Sequence, residues 1–119
     1  MAAVIVLATP TSALAKPIIE GTKEIRLVTK TTEAGSHPVL RWKPVADSVE
    51  YRVVVQTRKG DPYWTWQGAE TRVRFGGGPL DAAGRTEGAA LSGKKLWFVV
   101  AFDASGAIVG SSAKRKISG

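Results

Sequence analysis

One stretch of the chain decides its fold: residues 38–55, with the sequence PVLRWKPVADSVEYRVVV. In its second half, and one residue beyond it, an apolar set alternates with a more polar set, Tyr51, Val53 and Val55 with Arg52, Val54 and Gln56. Side chains two positions apart in an extended chain lie on the same side, so this alternation predicts a half-buried β-strand. An apolar segment that contains Trp42 comes before it, and Pro44 and Asp47 between the two predict a turn.

The pattern continues on both sides of this stretch. Ile25 and Leu27 alternate with Arg26 and Val28, and a long apolar run, LWFVVAF, covers residues 96–102. Further short apolar and aromatic segments lie at 64–66, 73–75 and 108–109, separated by Gly-, Pro- and Asp-containing turns. Short strands at this spacing predict an all-β sandwich or barrel.

Size and composition indicate one globular domain. The chain has 119 residues and no cysteine, which excludes disulfides and thiolate metal sites. Its net charge of +7 favours an acidic partner. The cations are spread along the chain, apart from short clusters at 58–59, 94–95 and 114–116, so a solvated surface is the simpler explanation. The last cluster could contact phosphate or lipid headgroups, or could be a soluble tail. Binding to nucleic acid rests on net charge alone and is not expected.

Residues 1–15 differ from the rest because they carry no charge. An apolar stretch at 2–8 is followed by a Pro-containing segment and then by Ala13-Leu14-Ala15, the order typical of a secretory signal. Cleavage after Ala15 would leave residues 16–119 as the mature domain, which predicts a secreted, periplasmic or cell-surface protein. The alternative is a retained apolar segment that packs on a neighbour. The stretch is too short to span a bilayer, so no membrane span is expected.

The stretch from Leu40 through Trp42 and Pro44 to Tyr51-Arg52-Val53 resembles strands B and C of a fibronectin type III domain. Residues 91–106 are similar to strand F and its following turn, and residues 108–112 to strand G; residues 17–37 would supply strand A. The resemblance implies a seven-stranded antiparallel β-sandwich of the fibronectin type III or immunoglobulin-like kind, with Trp42 between the sheets facing Tyr51 and Val53. Two features depart from the family: Lys95 stands near the position of its corner tyrosine, and the loop at 76–90 is long.

The apolar run at 96–102 has too many hydrophobic residues for one buried face. If Trp97, Val99 and Ala101 face the core, the alternate residues face outward. Strands C and F are neighbours in the resembled fold, which brings Val54 close to this outward set. The predicted partner-binding residues are therefore Val54, Phe98, Val100 and Phe102. The alternative is that the loop at 76–90 or the N-terminal segment covers them.

Trp64 and Trp66 form a second candidate site, because residues two apart lie on one face of a strand. Their rings could stack on sugars or anchor a protein contact. The alternative is that one or both fill the core beside Trp42. Sugar recognition would also need polar neighbours, and the candidates are Gln67, Asp61 and Arg58.

The sequence contains no recognisable catalytic arrangement. His37 is the only histidine and lies in a Gly-Ser-His-Pro turn, and the acidic residues form no metal-binding loop. We therefore predict that the chain is not an enzyme and holds no cofactor. The resemblance implies protein contact as the commonest use of such a domain. The predicted function is a protein-binding or assembly module, a subunit or accessory component of a cell-envelope or extracellular complex. A carbohydrate-binding module that uses the two tryptophans is the alternative.

Overall fold

The computed structural model describes residues 17–29, 37–77 and 90–118. Within these ranges every regular secondary-structure element is a β-strand. The strands are β1 (Lys23–Glu24), β2 (Val39–Arg41), β3 (Glu50–Thr57), β4 (Pro62–Gly68), β5 (Arg72–Arg74), β6 (Lys94–Phe102), β7 (Ile108–Ser111) and β8 (Arg115–Ser118). They form a large sheet in the order β1-β7-β6-β3-β4, with β8 also paired to β6, and a small sheet of β2 and β5. The prediction of an all-β chain with sandwich-like sheets is confirmed.

The centre of the large sheet is β6. It pairs antiparallel with β3 from Glu50↔Phe102 to Thr57↔Lys95. On its other side, β7 pairs with the second half of β6 and β8 with the first half. Ser112, between β7 and β8, keeps the two in line: its amide donates to the Val99 carbonyl and its hydroxyl accepts from the Val99 amide, both at 2.9 Å. The basic cluster at 114–116, for which the sequence left open a phosphate or headgroup contact or a soluble tail, thus lies partly in the sheet, because β8 begins at Arg115.

The chain changes sheets just after β1. Its first part belongs to the large sheet, because β1 runs parallel to β7 and the Ile25 amide donates to the Ser111 carbonyl at 2.9 Å. Its next part lies beside β2 in the small sheet, where the Val28 amide donates to the Arg41 carbonyl at 2.9 Å and Leu27 bridges to Trp42.

This change of sheet corrects two predictions. The sheets are not wholly antiparallel, because the chain enters alongside β7 in the same direction. Residues 25–28 are not one regular strand, because their backbone groups bond to two different sheets in turn.

The core lies between the sheets. From the large sheet, the alternate residues of β3 and β6 enter it, and Val53, Val55, Trp97 and Val99 are fully buried. The small sheet contributes Leu40, Trp42, Val73 and Phe75. Trp42 is 3% exposed, and its ring centroid lies 5.7 Å from that of Tyr51 in an edge-to-face contact. The expected burial of Trp42 against Tyr51 is confirmed.

Arg115 joins the two sheets at one edge. It stands opposite Trp97 on the core-facing side of β8, and its Nη1 donates to the carbonyls of Leu27 at 3.2 Å and Thr29 at 2.9 Å. Both acceptors belong to the segment that has crossed to the small sheet. One charged side chain therefore satisfies two carbonyls that the irregular pairing of this segment leaves without a strand partner.

We predict that Arg115→Met lowers the free energy of unfolding by about 1–3 kcal/mol, because methionine keeps the aliphatic stem but leaves two carbonyls without their donor. Urea denaturation followed by tryptophan fluorescence measures the change. Lys116→Met is the matched control, since Lys116 is the exposed neighbour on the opposite face of β8. An equal loss of stability in both variants would contradict the assigned role.

Candidate functional site

The large sheet has a second apolar surface on the side away from the core. Directly opposed residues of an antiparallel pair point to the same side of the sheet. The register therefore places the outward residues of β6 beside those of its neighbours: Phe98 with Val54, Val100 with Ser111, and Phe102 with Ile108. We call this surface, formed by Val54, Leu96, Phe98, Val100, Phe102, Ile108 and Ser111, the outer face.

Exposure differs among the predicted partner-binding residues. Val54, Phe98 and Phe102 are half-buried, whereas Val100 is only 7% exposed. The expected position of Val54 next to Phe98 is confirmed by their pairing. The sequence analysis missed Ile108, which is 44% exposed beside Phe102. The signal was available, because a residue that pairs with an outward residue across a hairpin must also point outward.

The segment before β1 covers part of the outer face. The Ile19 amide donates to the Ser111 hydroxyl at 3.1 Å, and the Thr22 hydroxyl lies 2.7 Å from the same oxygen. Since Ser111 stands beside Val100, this contact brings residues 19–22 close to Val100. The N-terminal segment at 1–15, one of the two candidate covers, lies outside the described residues. The loop that was the other candidate cover falls mostly at 78–89, outside the described residues.

Two cations lie over the aromatic rings of the outer face. The guanidinium carbon of Arg52 is 5.2 Å from the ring centroid of Phe102, and Arg52 also donates to Gln67 Oε1 through Nε at 3.3 Å and Nη2 at 3.1 Å. The Lys114 ammonium is 5.9 Å from the Phe98 centroid. Such cation–π contacts hold positive charge at the edge of apolar surface. The outer face is therefore an apolar strip with basic side chains at its margin.

A carboxylate organises the turn that places Ile108 beside Phe102. Asp103 Oδ1 accepts from the Ser105 hydroxyl at 2.7 Å and from the amides of Ser105 at 2.9 Å and Ala107 at 3.0 Å. These hydrogen bonds, that of the Ser105 hydroxyl first and that of the Ala107 amide second, lower the pKa of Asp103 below its ordinary value of 3.8.

The second predicted site, Trp64 and Trp66, faces the core side of β4. The ring centroid of Trp64 lies 4.7 Å from that of Phe75, and the centroid of Trp66 lies 6.0 Å from that of Trp42. Both tryptophans are half-buried against the core cluster. These contacts support the core-filling alternative. Of the polar candidates for sugar recognition, Gln67 instead accepts hydrogen bonds from Arg52 on the outer side.

The Tyr63 hydroxyl forms a hydrogen bond near the position where the resembled family has its corner tyrosine. Its hydroxyl donates to the Ala90 carbonyl at 3.0 Å, just before β6 begins. The Lys95 ammonium lies 4.4 Å from the Tyr63 ring centroid and donates to the Ser92 carbonyl. A tyrosine on β4 thus tethers the chain that enters β6.

The described residues contain neither a metal-binding group of side chains nor a membrane-spanning helix. No group of three or more His, Asp or Glu side chains within 17–29, 37–77 and 90–118 could hold a metal ion. Those same ranges contain no helix with the length and apolar character needed to cross a membrane. Residues 1–15, the predicted signal or apolar segment, lie outside the described part of the chain.

Comparison with known proteins identifies no family for this chain. No protein-family model matches the chain, and no curated protein matches it significantly. Among solved structures, the chain is similar to a pectate lyase from Pectobacterium carotovorum, with 11% identity and a TM-score of 0.44. The match covers 82% of this chain and 27% of that one, so this chain spans well under half of the enzyme's length.

This comparison corrects one prediction. The sequence analysis predicted that the chain is not an enzyme, whereas the matched chain is one, so that prediction is contradicted and we withdraw it. At this TM-score and identity the match carries no argument for any particular activity of this chain.

We predict that Gly68→Ala destabilises the protein by about 1–3 kcal/mol, because overpacking forces side chains away from their preferred positions. A Cβ at residue 68 would lie 2.4 Å from Cζ2 of Trp66, whose ring lies across the glycine. Urea denaturation of Gly68→Ala in the native chain and in a Trp66→Val chain measures the coupling. The cost should fall in the Trp66→Val chain; the same cost in both would show that the conflict is not with the ring.

We predict that the Asp103 carboxyl titrates below pH 3.8, because its hydrogen-bond donors stabilise the ionised form. A depressed pKa contributes stability that is present above the unfolded value and is lost as the pH falls through the folded value. The turn should therefore rearrange only below pH 3.8, which NMR titration of the carboxyl carbon and of the Ser105 and Ala107 amides would measure. Asp103→Asn is the control without this titration. A midpoint at or above 3.8 would refute the prediction.

Proposed function

We propose that this chain is a fibronectin type III-like β-sandwich that binds a protein partner through its outer face. Two features support the family assignment. The large sheet has the order β7-β6-β3-β4 at its centre and faces a small sheet of β2, β5 and residues 26–29. The Trp42–Tyr51 contact also lies where the resemblance to that family expects it. The fold alone does not select a function.

The observation that carries the proposed function is the apolar strip on the outer face. Val54, Phe98, Phe102 and Ile108 are all partly or largely exposed, and the pairing of β3, β6 and β7 makes them neighbours. A strand with apolar residues on both faces is unusual at a solvated surface, because alternation normally leaves the outer side polar. Contiguous apolar surface of this kind marks interaction sites.

The charge of the outer face indicates the chemistry of the partner. Arg52 and Lys114 lie over the two phenylalanine rings, and the whole chain carries a net charge of +7. Aromatic residues and arginine are enriched at the energetic centres of protein interfaces. A complementary partner would present an apolar centre with Asp and Glu at its rim, and opposite charge would speed and orient the encounter.

The place of action follows from residues 1–15 alone. If this uncharged, apolar segment is an export signal, the partner belongs to a cell-envelope or extracellular assembly in which this chain is a subunit or accessory component. Intact mass measurement of the protein from its source tests this part independently. A chain that starts at Lys16 supports export, and one that retains residues 1–15 contradicts it.

We predict that Phe102→Asp reduces recovery of the native partner at least tenfold, because it removes an aromatic anchor and puts a carboxylate beside Arg52, where it competes with the acidic rim of the partner. The test is quantitative co-purification with the tagged full chain expressed in its source. Val28→Asp is the matched control, since Val28 is 40% exposed on the small-sheet side and the substitution changes the net charge equally.

One result of this experiment would reject the proposed interface. Both variants should first show unchanged unfolding midpoints, so that loss of the fold does not imitate loss of binding. Equal recovery of the partner with Phe102→Asp and Val28→Asp would remove the outer face as the binding surface.

A further inference from the structure

A cleft at the far end of β6 has no role in the proposed interface. It encloses about 150 Å³ and is lined by Arg58, Lys94, Lys95, Lys116, Ile117 and Ser118. Four of these six side chains are cationic, and none is acidic. We call this feature the basic cleft.

The sheet register assembles the basic cleft from distant parts of the sequence. Pairing of β6 with β8 sets Lys94 opposite Ser118 and Leu96 opposite Lys116, so Lys94 and Lys116 point to the same side of the sheet, whereas Lys95, opposite Ile117, points to the other. Arg58 follows directly after Thr57, which is paired with Lys95. The basic cluster Lys94-Lys95 and one residue of each of the other two clusters, Arg58 and Lys116, therefore meet at one end of the large sheet.

Within the part of the chain that the structure describes, three of the four cations of the basic cleft have no acidic partner. Arg58, Lys94 and Lys116 are exposed, or nearly so, and their side chains make no ion pair or hydrogen bond with another described residue. Among the described residues, one ion pair is found: the Lys23 ammonium lies 3.6 Å from the Asp47 carboxylate, on another part of the surface. Like charges that line one concave surface concentrate positive potential there.

One member of the set is already held in position. The Lys95 ammonium lies over the Tyr63 ring and donates to the Ser92 carbonyl, so its side chain loses less freedom when a ligand binds. Ile117, 2% exposed, pairs with Lys95 and belongs to the core. The basic cleft thus combines one cation held by two contacts with three exposed ones.

We propose that the basic cleft binds a multivalent oxyanion, either a free diphosphate-like anion or the clustered sulfate or carboxylate groups of an anionic sugar. Three of its four cations are lysines, which act as compact point charges and select for charge density more than for shape. A cleft of about 150 Å³ suits a small anionic group. A single-stranded nucleic acid is a less suitable ligand. Its bases stack on aromatic rings, and Lys95 already covers one face of the nearest ring, Tyr63.

The test is calorimetric titration of the full chain with pyrophosphate at low and moderate salt. We expect the double variant Lys94→Gln, Lys116→Gln to bind at least tenfold more weakly. The control is Lys23→Gln, Lys43→Gln, which removes the same net charge from exposed positions elsewhere and should change affinity less than twofold. Backbone amide shifts on titration should concentrate at residues 58, 94–95 and 116–118.

Parallel titrations identify the source of the anion. Heparin that binds more tightly than pyrophosphate, with the same loss in the cleft variant, assigns the site to an anionic polysaccharide, and pyrophosphate that binds more tightly assigns it to a free anion. The proposal is overturned if neither binds, if the cleft and control variants weaken equally, or if a single-stranded oligonucleotide binds more tightly than both. Unfolding midpoints of the two double variants, expected to agree, exclude loss of the fold as the cause.

Discussion

The antiparallel pairing of β3 with β6 is the interaction on which the rest of the structure depends. It runs without a register shift over the whole of β3, from Glu50↔Phe102 to Thr57↔Lys95. Because side chains alternate, this one register decides at once which residues form the core and which form the outer face. A slip of β3 by one residue would bury Arg52 and expose Val53. The same strand register therefore determines both the core and the proposed interface.

Much of this arrangement could be predicted from the sequence, because it follows from period two. The alternation around Val53 and in residues 96–102 predicts both strands and their inward sides, and the burial of Trp42 against Tyr51 follows from the resembled fold. The change of sheet between residues 25 and 26 could not be predicted. An alternating pattern shows that a segment is extended and half-buried, but not which strand accepts its hydrogen bonds. That choice depends on Ser111 and Arg41, which are distant in the sequence.

The same limit explains what sequence reasoning could and could not say about the surface. It predicted an outward apolar set on β6, but not that Val100 is largely covered while Ile108 is open. The cover depends on the contact of Ile19 with Ser111, between residues 92 positions apart. The cations over Phe98 and Phe102 come from Lys114 and Arg52, on other strands or connections. Such long-range neighbours decide how exposed a side chain is, whereas its position in the strand decides to which side of the sheet it points.

The two proposed sites occupy opposite ends of one strand, and their separation has a physical consequence. Phe102 and Lys94 are eight residues apart on β6, which at about 3.3 Å per residue is roughly 26 Å. The Debye length at physiological ionic strength is about 8 Å, so exposed charges at one end act weakly on the other. An anion in the basic cleft would therefore act weakly at Phe102 and Ile108, whereas Leu96, which pairs with Lys116, lies beside the cleft. Coupling between a ligand in the cleft and a partner at Phe102 would have to pass along the uninterrupted β3–β6 pairing.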